Sequence, residues 1–159
     1  MDSMVEIYIE RANNDILAAN SLKILSENPE NKKAFNIPTD ETFYSSVISH
    51  SYYAIFYAAK AILLSKKIKT NAPEVHKKTF DAFKEHFVDN GLLDVKLLKI
   101  YKIMVVRADE LLEIFKQEKK RRGTFTYTTI PQANKVPADD SLSNAKIFVS
   151  NIQKIISKK

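Results

Sequence analysis

From Ser49 to Leu64 the chain reads SHSYYAIFYAAKAILL, apolar on nearly every side of a helix. Such a helix has no face to spare for water. It belongs at the centre of a helical bundle or is shared with a second subunit. Val47, Ser51, Ala54, Ala58, Ala61 and Ser65 form a stripe of mostly small side chains along it, against which another helix can approach closely. Tyr52, Tyr53, Phe56 and Tyr57 occupy the remaining surface. Such rings can stack on nucleic-acid bases, although at helical spacing they more often fill a core. No run of about 18 consecutive apolar residues occurs, so no membrane span is expected.

The rest of the chain agrees with a helical reading. Only 2 of 159 residues are glycine, a residue that is costly inside helices. Val5, Ile9, Ala12, Ile16, Ala19 and Leu22 make one helical face, predicting a helix over about 2–26. ENPENKKAFNIPTDE, residues 27–41, is polar and carries Pro29 and Pro38, and reads as a surface linker. Thr39 or Asp40 can then cap the central helix, over about 40–67. Asn71 and Glu74 around Ala72-Pro73 resemble a capping box, predicting a short helix over 72–88 that Asp89-Asn90-Gly91 ends. Asp94 caps a long helix to about residue 122, with Leu97, Tyr101, Met104, Ala108, Leu111 and Phe115 on one face. At 1.5 Å per residue it spans roughly 40 Å. Pro137, Asp139 and Asp140 suit the opening turn of a last helix over 138–157. The expectation is one all-α domain over 1–159, an antiparallel up-and-down bundle of four long helices and one short one.

Charge and side-chain inventory narrow the chemistry. Lysine and arginine total 25 against 19 acids, a net +6, which favours acidic partners such as RNA, DNA or an acidic protein face. There is no cysteine, which excludes thiolate chemistry and disulfides and fits a reducing, cytoplasmic setting. The N-terminus has no basic region followed by an apolar core, so no signal peptide is expected. His50, His76 and His86 have no metal-binding spacing, so neither metal nor cofactor is expected. No phosphate loop or nucleophile elbow is present. Arg107 interrupts the apolar run KIMVVRADELLEIF, and a half-buried arginine wants a carboxylate; Glu110, one turn on, is the expected partner.

One stretch stands apart. KKRRGTFTYTTIP, Lys119 to Pro131, runs four cations into a glycine and then into alternating threonines and aromatics. Lys119, Lys120, Arg121 and Arg122 are candidate nucleic-acid contacts. They equally suit a helix C-terminus, where cations are favoured.

Three segments carry a resemblance. SSVISHSYYAIFYAAKAILLSKKIKT (Ser45–Thr70), HKKTFDAFKEHFVDNGLLD (His76–Asp94) and SLSNAKIFVSNI (Ser141–Ile152) resemble, in this order, HEPN domains (higher eukaryotes and prokaryotes nucleotide-binding) of the small bacterial and archaeal branch. The resemblance implies a helical bundle, usually a homodimer. It implies either a metal-independent RNase, often a toxin, or a non-catalytic module beside a small nucleotidyltransferase. It also implies RNA or nucleotide as ligand. The family's catalytic motif is an arginine followed, after four to six residues, by histidine, with two copies meeting across the dimer. Arg122 matches the arginine, but Tyr127 stands where histidine belongs. Histidine shuttles protons near neutral pH, whereas a free tyrosine, with a pKa of about 10, is a poor base. The resemblance therefore carries over phosphate binding by Arg121 and Arg122 and a stacking or hydrogen-bonding role for Tyr127, while the catalytic pair Arg122–Tyr127 departs from the family pattern. The expected function is an interaction module of a toxin–antitoxin or nucleotidyltransferase-associated system, the alternative an RNase with a variant site.

Overall fold

The computed structural model describes residues 2–121 and 134–158, with the side chains of residues 114, 115 and 117–121 outside the described set. It is all-helical, with no strand among the described residues: α1 (Ser3–Glu27), α2 (Pro29–Ala34), α3 (Tyr44–Ser65), α4 (Val75–Phe83), a π-helical turn (Lys84–Val88), α5 (Val95–Arg121) and α6 (Lys135–Ser157).

The apolar segment becomes α3, and α3 touches α1, α4, α5 and α6. Twelve of its 22 residues are buried, so its own chain takes up most of the surface that suggested a second subunit. The small stripe is central to this. Val47, Ser51, Ala54, Ala58 and Ala61 are all at 0% exposure, while Ser65 at the helix end is only partly covered. Ser51 turns its hydroxyl back onto the Val47 carbonyl at 2.7 Å, which satisfies it inside the core. α1 runs opposite to α3. Ser26 meets Phe43, Asp15 meets His50, and Tyr8 stacks near Tyr57. α6 runs opposite to α5 in the same way, with Arg107 on Ser141 and Tyr101 against Phe148. Phe83, Tyr101 and Phe148 close the core as a cluster of rings.

Several boundaries differ from the sequence expectation, each for a physical reason. Residues 29–34 of the supposed linker form α2. Pro29 occupies its first turn, where the missing N–H is no loss, and the Asn28 side chain caps Asn31 N–H at 3.0 Å. Neither Thr39 nor Asp40 caps the central helix. It starts four residues after Asp40, and the Phe43 N–H is taken by the Ser26 hydroxyl of α1 at 2.7 Å. Thr39 instead offers its carbonyl to buried Lys32 at 2.7 Å. The capping box at Asn71 and Glu74 does not form: Glu74 is left-handed, with φ 56°, and α4 begins at Val75 without a side-chain cap. Asp94 does cap α5, accepting from Lys96 N–H at 2.8 Å. Gly91 has φ +70°, a conformation glycine adopts without penalty. α6 begins at Lys135, three residues before the expected start.

The buried small stripe leaves no room for added methylenes. Ala58→Leu is expected to destabilise the fold by about 1–3 kcal/mol or more, whereas Leu17→Ala, 65% exposed on α1, changes it by less than about 0.5 kcal/mol. Urea unfolding of the two variants checks this; equal effects would remove the close-packing account.

Candidate functional site

The expected site residues divide by position. Arg122 and Tyr127 lie outside the described residues. Lys119, Lys120 and Arg121 fall in the last turn of α5, with side chains outside the described set. The helices on either side are joined by polar contacts. Arg107 reaches from α5 to the start of α6, donating to Ser141 Oγ at 2.8 Å, Asp140 at 3.1 Å and the Pro137 carbonyl at 3.4 Å. Its carboxylate partner is therefore Asp140 and not Glu110, because tertiary packing brings α6 closer than the next turn of its own helix. Lys135, the first residue of α6, bonds Glu27 at the end of α1 and pairs with Asp139 at 3.1 Å. Lys23 pairs with Glu27 at 3.2 Å and Asp139 at 3.4 Å. The Lys135 bond holds the Glu27 carboxyl below its ordinary range against the opposing effect of burial. Glu27 and Asp139 together push Lys135 above the ordinary lysine range. These contacts tie the start of α6 to the end of α1 and the middle of α5.

A second cluster lies where α3 faces α4. His76 stacks on Phe56 with ring centroids 4.2 Å apart, and Tyr52 Oη sits 2.8 Å from His76 Nδ1. Burial first, and the Lys60 charge second, lower the His76 pKa. Burial raises that of Tyr52. A neutral imidazole and an un-ionised phenol thus share one hydrogen across the Tyr52 Oη–His76 Nδ1 contact. Beside this pair Ser49, Tyr53, Ala108, Asp109 and Leu112 help line a depression of about 280 Å³. The aromatics read as core or stacking surface are thus both: Phe56 is 4% exposed and Tyr53 40%.

The third cluster, His50 with Asp15, has no counterpart in the sequence reading. His50 Nδ1 lies 2.8 Å from Asp15 Oδ1. The available signal was Asp15 itself, a carboxylate placed three residues after Ala12 and four before Ala19 on the buried side of α1. His86 falls in the π-helical turn. No group of three or more metal-ligating side chains exists among the described residues.

Residues 30–156 match the HEPN domain. The chain therefore belongs to the HEPN domain family. Among its relatives is a Methanocaldococcus jannaschii protein that bears the name "Putative toxin". It is 27% identical over 129 residues, which cover 81% of this chain and 83% of that one. A second protein of the same organism and the same kind of name is 28% identical over 117 residues, covering 74% and 68%. A Gloeobacter violaceus protein named as a UPF0332 protein is 32% identical over 65 residues, 41% and 49% of the two chains. No solved structure matches the chain.

Two consequences can be measured. Arg107→Ala, which strips the buried Ser141 hydroxyl of its charged donor, is expected to destabilise the fold by about 1–3 kcal/mol, while Glu110→Ala stays within about 0.5 kcal/mol. Comparable losses in chemical denaturation would restore Glu110 as the partner. For His76 the folded pKa lies below the unfolded value near 6.5, so the unfolded state binds more protons between the two. Stability is then full above about pH 6.5 and falls as the pH drops toward the folded value. Melting curves from pH 7 to 5.5 should decline, and His76→Gln should flatten that decline; an unchanged slope in the variant would assign it to other groups.

Proposed function

We propose that this protein is a toxin-like HEPN module that binds RNA or a nucleotide, works as a homodimer, and is held in check by a small nucleotidyltransferase partner. The observation that carries this reading is the HEPN match over residues 30–156 together with full-length-scale similarity to proteins named as toxins. The four long helices form its up-and-down bundle, and the cations from Lys119 to Arg122 supply phosphate contacts. Self-association draws support from α5, where Ile103, Val106 and Leu112 are each about half exposed. Arg122 and Tyr127 stand at the family's motif position, with Arg122 contacting phosphate and Tyr127 stacking or hydrogen-bonding rather than acting as the base. The second reading, an RNase with a variant Arg122–Tyr127 site, is favoured by the same basic run.

The test is induced expression in a bacterial host together with RNA binding by the purified protein. Growth arrest and salt-sensitive RNA binding are expected for the wild type. Arg122→Ala should abolish both while shifting stability by less than about 0.5 kcal/mol. RNA cleavage that persists in chelator and disappears in Arg122→Ala would select the RNase. If Arg122→Ala and Tyr127→Phe each lose about 2 kcal/mol of stability and retain binding, the pair is a structural clasp. A monomer by light scattering at tens of micromolar would remove the dimer.

A further inference from the structure

The outward stripe of α3 consists of Ser46, His50, Tyr53 and Tyr57, none of them fully buried, at spacings that put them on one helical face. α1 forms the wall beside it. Tyr57 is flanked by Tyr8 at 6.1 Å and by Tyr53 at 6.4 Å, both near-parallel. Arg11, exposed on α1, holds its guanidinium 5.2 Å from the centre of the Tyr57 ring. It joins no ion pair among the described residues. One turn along α1, Asp15 bonds His50.

That bond sets the chemistry of His50. A carboxylate can only accept, so the hydrogen resides on Nδ1. In the neutral ring Nε2 is then the acceptor, on a side chain 39% exposed. The other Asp15 oxygen, Oδ2, is buried and has no partner among the described residues. Along α1 it lies between two fully buried alanines, Ala12 and Ala19. A half-satisfied buried carboxylate is a poor clamp between two helices. What it does achieve is to fix the orientation and tautomer of His50.

We propose that this stripe binds a nucleoside phosphate unit. The base lies on the exposed Tyr53 ring, the phosphate meets the fork of Arg11, and Nε2 of His50 accepts from a ribose hydroxyl or a base amino group. Asp15 is a positioning residue that acts through His50. The site uses none of the residues assigned to the proposed function, so the two readings fail separately.

Titration of the full chain with AMP, adenosine and a single-stranded oligoadenylate hexamer tests it. AMP should bind about tenfold more tightly than adenosine. Arg11→Ala should bring AMP down to the adenosine level, and Tyr53→Ala should weaken both by about tenfold. Arg122→Ala should leave AMP binding unchanged. Arg11 and Tyr53 are exposed, so their variants keep the fold even if changes at Asp15 or His50 do not. Hexamer binding that falls in parallel with AMP places the unit in a nucleic-acid chain; hexamer binding that ignores these variants makes the ligand a free nucleotide. The positioning role is read from the His50 ring-nitrogen shifts: the Nδ1–H tautomer in the wild type, a mixture in Asp15→Ala. The proposal is overturned if AMP fails to bind at millimolar concentration, or if Arg11→Ala and Tyr53→Ala bind it as the wild type does. It is also overturned if Tyr53→Ala merely converts a dimer that ignores AMP into a monomer, which would make the stripe an interface between copies.

Discussion

Where α1 runs beside α3, Ala12 lies between the Tyr8–Tyr57 and Asp15–His50 contacts, and Ala19 lies between Asp15–His50 and Ser26–Phe43. Side chains this small let the two helix backbones approach, and dispersion attraction then acts along most of their shared length. With α1 seated there, the other sides of α3 are left for α6, α4 and α5. The line from Ser46 to Tyr57 still reaches water, as do Ser49 and Tyr52 on the side toward α5. The exposed polar and aromatic stripe is thus a by-product of where the small residues lie.

Polar contacts then settle details that apolar packing leaves open. The Ser26 hydroxyl donates to the Leu22 carbonyl and accepts from the Phe43 N–H, each at 2.7 Å. One side chain thereby joins the end of α1 to the start of α3. Arg107 does the same between α5 and α6. The exposed pairs among Lys23, Glu27, Lys135 and Asp139 contribute little stability singly, but they fix which helix end meets which. α5 ends at Arg121 and α6 opens at Lys135 within that frame.

The histidines show how one residue type takes different roles from its surroundings. His76 is stacked on Phe56, kept neutral by burial and given a phenol as its hydrogen-bond partner. His50 faces a carboxylate and presents its other nitrogen outward. The difference lies in what the neighbouring helix supplies: Tyr52 and Phe56 of α3 for His76, Asp15 of α1 for His50.

The sequence by itself determined the helical class, the central place of the Ser45–Thr70 segment and the apolar faces of α1, α5 and α6. These are legible because periodicity and side-chain size are local properties that survive without coordinates, while the family was legible only through the resemblance of three segments. Scarce glycine and the Asp94 cap were likewise readable, since each concerns a helix and its immediate flanks. Tertiary structure decided the rest. Phe43 needs no local cap because Ser26 satisfies it, and Arg107 prefers Asp140 over Glu110. Asp15 finds His50 across 35 positions of chain. In each case two helices distant in sequence meet, and the free energy depends on partners that no spacing along one helix specifies.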